Sequence, residues 1–229
     1  MRAHPQIAID GAAGTGKSTI GECVARRIDA LYVDTGAFYR TLAYLALRTS
    51  TDSDDADALA RLAGAMRLEI VPPRVADGRQ YTVLVDGRDV TPELRTSAVE
   101  AAVSRVSRHL SVRAVLRTRQ RELANGSSVV MVGRDIGTVV LPDADLKIHL
   151  KTSLAARAER RHADLVAKLG TAAPTLSAVR EEIAQRDALD APNMRVAADA
   201  VEIDNTELEA AEVVRRICAL LTERLQAEA

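Results

Sequence analysis

The sequence predicts an α/β fold, a parallel sheet covered by helices on both faces, with a small α+β unit inserted into it. Three observations point there. Apolar runs of three to five residues alternate with helical patterns, as buried parallel strands and their crossover helices do. A Gly-rich turn separates the first such run from the first helical pattern. One later segment abandons this rhythm for antiparallel alternation. The first strand is "IAI" at residues 7–9, followed by a helix carrying Ile20, Val24 and Ile28 on one face. "LYV" at 31–33 is the second strand, and a helix covers about 38–47. "VVMV" at 129–132, "LKIHL" at 146–150 and "VEI" at 201–203 supply the later strands. The last helix carries Val214, Ile217, Leu221 and Leu225 at helical spacing.

The break in rhythm spans about 62–93. It reads "RLEIV", then a Pro-Pro and Gly-containing loop, then "YTVLVDGRDV". Alternation at Tyr81, Val83 and Val85, with Asp86-Gly87 behind it, is the signature of a small antiparallel unit closed by a tight turn. Helix resumes at "SAVEAAVSRVS". The chain therefore divides into a core at about 1–61 and 114–229 and an insertion at about 62–113. The stretch "AKLGTAAPTLS" at 167–177 reads as a mobile loop between two helices.

Composition narrows the function. A chain of 229 residues suits one core with an inserted subdomain, and 47% apolar residues suffice to fill it. A net charge of −1 argues against a general polynucleotide binder, as do only five aromatics, Tyr32, Phe38, Tyr39, Tyr44 and Tyr81. Cys23 and Cys218 lie far apart in helical stretches and read as small apolar core residues in a reducing compartment. Neither the cysteines nor the scattered histidines have metal-ligand spacing. The start of the chain lacks the apolar segment of a signal peptide, and no run of about 18 apolar residues marks a membrane span. The expectation is a cytoplasmic protein without membrane or polynucleotide partners. With no long exposed apolar stripe, a monomer is expected.

The chemistry begins at Gly11, Ala12, Ala13, Gly14, Thr15, Gly16, Lys17 and Ser18, which match G-x-x-x-x-G-K-[ST] at every required position. Glycines let the backbone turn its N–H groups around an anion. Lys17 brings a charge to the β- and γ-phosphates, and the Ser18 hydroxyl is placed for Mg²⁺. The helix that opens there points its positive end at the same place. A nucleoside triphosphate site follows, which leaves a switch GTPase, a motor-type ATPase or a small-molecule kinase. No N-K-x-D guanine-reading motif is present. "VVMV" runs into Gly133-Arg134-Asp135 rather than into the acidic end of a motor-type strand. Basic residues aimed at a phosphate site suit transfer to an acceptor, where charge on the moving group must be neutralised.

The segments "IAIDGAAGTGKST", "DTGAFYR", "VGRDIGTVVLPDADLKIHL" and "QRDALD", in this order and spacing, resemble the bacterial cytidylate kinase family from residue 6 to about 222. The resemblance implies a P-loop NTPase-type sheet, an acceptor-binding insertion and a short lid, here at about 155–172. It also implies transfer of the γ-phosphoryl of ATP, with Mg²⁺, to CMP and dCMP. ATP falls on residues 11–19 and on the lid arginines Arg157, Arg160 and Arg161, of which Arg161 is taken as catalytic. Arg40 matches the arginine that grips the acceptor's phosphate, a task its forked guanidinium suits. Thr35 and Tyr39 resemble acceptor-pocket residues. Ser104, Arg113 and Asp135 match the cytosine contacts. The carboxylate would accept from the exocyclic amine and repel the oxygen that uracil carries there.

Ser104 and Arg113 are nine apart and converge only if their helix breaks near 109–111. Arg134 and Arg186 resemble phosphate-region arginines, and Asp190 matches the residue on the sugar hydroxyls. Asp34 either helps hold Mg²⁺ through a water or caps a helix. The chain departs from the family pattern at Ala12, at Val132 before the Gly-Arg-Asp run, and after Asp190. There Asn193 stands in place of an arginine; either Arg195 substitutes for it or a contact is lost. A kinase for UMP, AMP or shikimate, and an ATP-binding regulatory protein without transfer activity, are the competing expectations.

Overall fold

The structure is a computed structural model that describes residues 4–227; the side chain of Asn193 lies outside the described residues, and so does the expectation attached to it. In chain order, β1 (Gln6–Gly11) leads to α1 (Lys17–Arg27), β2 (Leu31–Asp34), α2 (Gly36–Arg48) and α3 (Ala56–Ala65). Next come β3 (Leu68–Val71), β4 (Thr82–Val85), β5 (Arg88–Asp89), α4 (Ser97–Ser107) and α5 (Leu110–Ala124). The chain closes with β6 (Val129–Gly133), β7 (Leu146–Lys151), α6 (Leu154–Leu169), α7 (Leu176–Asp190), β8 (Val201–Asp204) and α8 (Ala210–Ala227). Two compact units result, one of Met1–Ala30 with Ser128–Ala229, the other of Leu31–Ser127.

In the first unit β1 pairs in parallel with β6 on one side and with β7 on the other, and β8 extends the sheet beyond β7. Ile7, Ile9, Met131, Ile148 and Leu150 are fully or almost fully buried, which is why these strands read as apolar runs rather than alternations. Helix α1 packs against β1, β6 and α8, so helices flank the parallel sheet as expected. Register matters at the top of β1: Asp10 lies opposite Gly133, and Gly11 opposite Leu150. Helices α6 and α7 pair through Ala158, Val179 and Ile183, with Leu154 and Leu165 against them. Each opens on a side-chain cap, Ser153 accepting from the Ala156 amide and Thr175 from the Ala178 amide. The expected loop at 167–177 is shorter than its composition suggests. Helix α6 runs to Leu169, a 3₁₀ turn spans Gly170–Ala172, and α7 starts at Leu176.

In the second unit, β3, β4 and β5 form the expected antiparallel sheet, with Leu68 opposite Val85 and Val85 opposite Arg88. Asp86 and Gly87 turn it at φ 49° and 76°, the left-handed pair of a type I′ hairpin. All four residues of β4 are buried, so the alternation seen in sequence does not divide a wet face from a dry one. The unit is wider than the span 62–113, because α2 packs on α4 and α3 on α5. Between α4 and α5 the helix breaks at residues 108–109, where His109 is extended and its Nε2 lies 2.8 Å from the Ser53 carbonyl oxygen.

Cys23 and Cys218 are half-buried on α1 and α8, not core residues as expected, and both are free thiols. No helix among the described residues is long and apolar enough to cross a membrane.

Gly11 sits where the parallel strands come closest to the turn. A Cβ there would lie 2.8 Å from the Leu150 carbonyl oxygen and 3.0 Å from Thr15 Oγ1, and the first of these is backbone that cannot swing away. Gly11→Ala is expected to destabilise the protein by about 1–3 kcal/mol, measured as a lower urea midpoint with unchanged m-value. An unchanged midpoint would contradict this close approach.

Candidate active site

The loop between β1 and α1 carries Gly14 and Gly16 at φ 78° and 81°, a conformation that side chains disfavour. A backbone wound this way directs its amides to one side and must find partners for its carbonyls elsewhere. Five of those carbonyls have donors. Arg134 Nη1 donates to the Gly11 oxygen at 3.0 Å. Lys17 Nζ and Thr15 Oγ1 donate to the Ala12 oxygen at 2.9 and 3.1 Å. Arg157 Nη1 donates to the Ala13 oxygen at 3.0 Å. Asn205 Nδ2 donates to the Thr15 oxygen at 2.8 Å, and the Ile20 amide to the Gly16 oxygen at 2.9 Å. Lys17 is buried, Ser18 half-buried and Thr19 exposed.

The three lid arginines separate clearly. Arg157 is 6% exposed and holds Asp187 with both terminal nitrogens, at 3.0 and 2.7 Å, while its Nε donates to the Thr152 oxygen. Arg160 donates to the carbonyls of Asn205 and Thr206, both at 2.9 Å. Arg161 is exposed and has no side-chain partner among the described residues. Arg157 and Arg161 are four apart and share a face of α6, yet Arg157 is buried against the loop and Arg161 is exposed. Arg186 on α7 is likewise exposed, without a side-chain partner among the described residues. Asp190, one turn further on, accepts from Arg134 Nε at 2.8 Å.

Behind the loop, Asp10 is 6% exposed and accepts from the amides of Ile136 and Gly137, each at 2.8 Å. Burial pushes its carboxyl up to about 6, against those two hydrogen bonds, which pull it down. Asp135 stands immediately before, with φ −141° and ψ 29°, and its carbonyl accepts from the amides of Val139 and Val140.

The second unit holds a compact charged cluster at the start of α2. Asp34 Oδ1 accepts from the Gly36 amide at 2.9 Å, and its Oδ2 from Arg40 Nη2 at 2.7 Å and from the Tyr81 hydroxyl at 3.1 Å. Arg40 Nη2 also donates to the Tyr81 oxygen, at 3.1 Å. Arg95 Nη2 stands 4.0 Å from Asp34. Burial pushes the Asp34 carboxyl up, but Arg40 beside it overrides this and holds it below the ordinary range. Burial opposes the Arg40 charge, and Asp34 in turn raises its pKa. Burial first, then the charge of Asp34, pushes the Tyr81 hydroxyl up to about 12. Gly36 makes room for this cluster, since a Cβ there would lie 2.7 Å from Arg40 Nη1. Thr35 is buried just before α2. The Arg113 guanidinium lies 5.7 Å from the centre of the Tyr39 ring, a cation–π distance. Ser104 is exposed on α4, and the break before α5 that Ser104 and Arg113 require is present.

Sequence reasoning missed Asp10, Tyr81, Asp187 and Asn205. Only Asp10 carried a signal, a polar side chain near the end of a strand with apolar residues before it. Asn205 is 2% exposed, and its amide oxygen accepts from the Thr152 hydroxyl.

The family described as cytidylate kinase matches residues 7–223. A cytidylate kinase of Chloroflexus aggregans is 49% identical over 214 residues, which cover 93% of this chain and 92% of that protein. A cytidylate kinase of Herpetosiphon aurantiacus is 45% identical over 221 residues, covering 96% of each. Among solved structures, an uncharacterized protein from Eubacterium ventriosum shares the fold at a TM-score of 0.51, with 11% identity and coverage of 96% and 99%. With a match running almost from end to end, the chain belongs to the cytidylate kinase family.

Proposed function

We propose that the protein transfers the γ-phosphoryl group of ATP directly to the phosphate of CMP, with dCMP as a second acceptor. The observation that carries this is the division of labour among its cations. Lys17 and Arg157 are built into the phosphate loop. Arg40 is buried in a separate polar cluster of the second unit, well beyond what holding a triphosphate requires. The acceptor phosphate is itself the nucleophile, so the chain needs no general base. Its residues must position two anions and neutralise the charge of the moving group.

In this reading the loop amides and Lys17 hold the β- and γ-phosphates. Arg40 takes the acceptor phosphate, helped by Thr35. Asp135, Arg113 and Ser104 read the base, with the Arg113 plane braced by Tyr39. Asp190 takes the sugar hydroxyls. Arg186 and Arg161, exposed and uncommitted among the described residues, are the cations free to meet the transferring group. Arg157 and Arg160 we assign to holding the loop and the segment after β8, because all three Arg157 nitrogens and Arg160 Nη2 are already engaged there. The Ser18 hydroxyl is a hard oxygen donor beside Lys17 at the opening of α1 and fits Mg²⁺, together with phosphate oxygens. Bound there, Mg²⁺ would neutralise phosphate charge. Asp34 does not suit the metal: both oxygens are occupied, and its geometry is that of a counter-ion that keeps Arg40 in place.

Lys17→Ala is expected to lower kcat by at least about a hundredfold while the protein still unfolds in one cooperative transition; near-normal turnover would remove the donor assignment. A panel of ribo- and deoxynucleoside monophosphates in a coupled assay should rank CMP first, and Asp135→Asn should erode the preference for CMP over UMP. A parent enzyme that prefers UMP would overturn the role given to Asp135.

Asp34 allows a test by pH. Its folded pKa lies below the ordinary 3.8, so the stability it contributes is present above that pH and is lost as pH falls toward the folded value. Asp34→Asn should therefore be less stable than the parent at neutral pH, and the gap should narrow as pH drops from about 5 to about 3. Denaturant unfolding at the two ends of that range measures it; a constant gap would mean that the pair carries no net coupling.

A further inference from the structure

Arg134 is tied to the phosphate loop and to Asp190, and Asp135 beside it reads the base in the function proposed above, on which this inference rests. Their side chains act from a backbone that leaves β6 and enters a wide turn at Ile136–Val140, so something must fix the dipeptide's direction. Both of its flanks trace to one residue. Before it, Gly133 lies opposite Asp10 in the parallel register of β1 and β6. After it, the two oxygens of the Asp10 carboxylate take one amide each from Ile136 and Gly137, at 2.8 Å. A third point comes from the next residue along β1, since the Gly11 carbonyl accepts from Arg134 Nη1. Gly137 cannot drift away on its far side. Its missing Cβ would lie 3.2 Å from the Lys147 stem and 3.4 Å from Asp10 Oδ2, and Lys147 is itself held by Asp199 at 2.8 and 2.9 Å. Ionised carboxylate is the group that best receives two amides at once. Asparagine at the same place would present one oxygen and one N–H, and the N–H would face a donor.

We propose that Asp10 is a positioning residue for acceptor recognition. Its carboxylate staples the backbone on both sides of Arg134–Asp135, and so sets the discrimination of cytosine from uracil without touching the nucleotide. The residue sits one position before the phosphate loop, yet its effect falls on the acceptor and not on ATP.

Two measurements on the full-length chain separate the staple from its consequence. Hydrogen exchange at the Ile136 and Gly137 amides reports the staple alone, and Asp10→Asn should speed it at least about tenfold. Steady-state kinetics report the consequence. Asp10→Asn should lower the CMP/UMP ratio of kcat/KM by about tenfold, mainly through a higher KM for CMP, with KM for ATP within twofold of the parent. In an Asp135→Asn background the same substitution should leave the ratio where Asp135→Asn alone puts it. Gly137→Ala, whose added Cβ would press on the Lys147 stem at 3.2 Å and touch Asp10 Oδ2 at 3.4 Å, should shift the ratio in the same direction and provides the test should Asp10→Asn fail to fold. Unchanged exchange, or an unchanged ratio in folded variants while Asp135→Asn lowers it, would overturn the proposal. If Asp135→Asn leaves the ratio unchanged, the base-reading role of Asp135 falls. The staple then stands or falls on amide exchange and on KM for CMP.

Discussion

A chain that wraps its amides around a phosphate must turn its carbonyls the other way, and the first unit is built around meeting that demand. In the phosphate loop the oxygens of Gly11, Ala12, Ala13, Thr15 and Gly16 all find donors. Two are satisfied within the loop and helix α1. The other three are met by Arg134 after β6, Arg157 on α6 and Asn205 after β8. A buried carbonyl left unmet costs on the order of 1–3 kcal/mol, so these side chains stiffen the loop before any anion arrives. Preorganisation of this kind makes electrostatic stabilisation effective, because nothing need be reordered as the charge moves.

The second unit faces a different problem, that of keeping a guanidinium buried while leaving it useful. Arg40 is 9% exposed, and an isolated charge at that depth would be strongly disfavoured. Asp34 and Tyr81 supply the counter-charge and a shared hydroxyl, and Gly36 supplies the space. The pair keeps Arg40 ionised and fixed in direction. The guanidinium is thereby held in place already stripped of most of its water.

Local features were legible in the sequence, and long-range ones were not. The phosphate loop and the Asp86-Gly87 turn follow from spacing within a dozen residues, where backbone sterics decide the outcome; the break between α4 and α5 is required only by the roles that the family resemblance gives Ser104 and Arg113. Asp10 with Ile136, Arg157 with Asp187 and Asn205 with Thr15 join residues 30 to 190 positions apart. No periodicity announces such a pairing. The arginines of α6 show the limit most clearly. Spacing of four gives Arg157 and Arg161 a common helix face, but only packing against α7 and the loop decides which of them is buried. Helix–helix packing, more than the change in sequence rhythm, sets the extent of the second unit at Leu31–Ser127.

The distance along the chain between the phosphate loop and its caps has a consequence for synthesis. Residues 11–18 emerge from the ribosome early, but the donor for the Thr15 carbonyl is 190 residues further on. At an elongation rate of about 5–20 residues per second, the loop waits roughly 10–40 seconds for that cap. During that interval the nascent chain carries the motif for gripping a phosphate without the framework that shapes it. Full shaping of the loop is thereby tied to synthesis of the chain through residue 205.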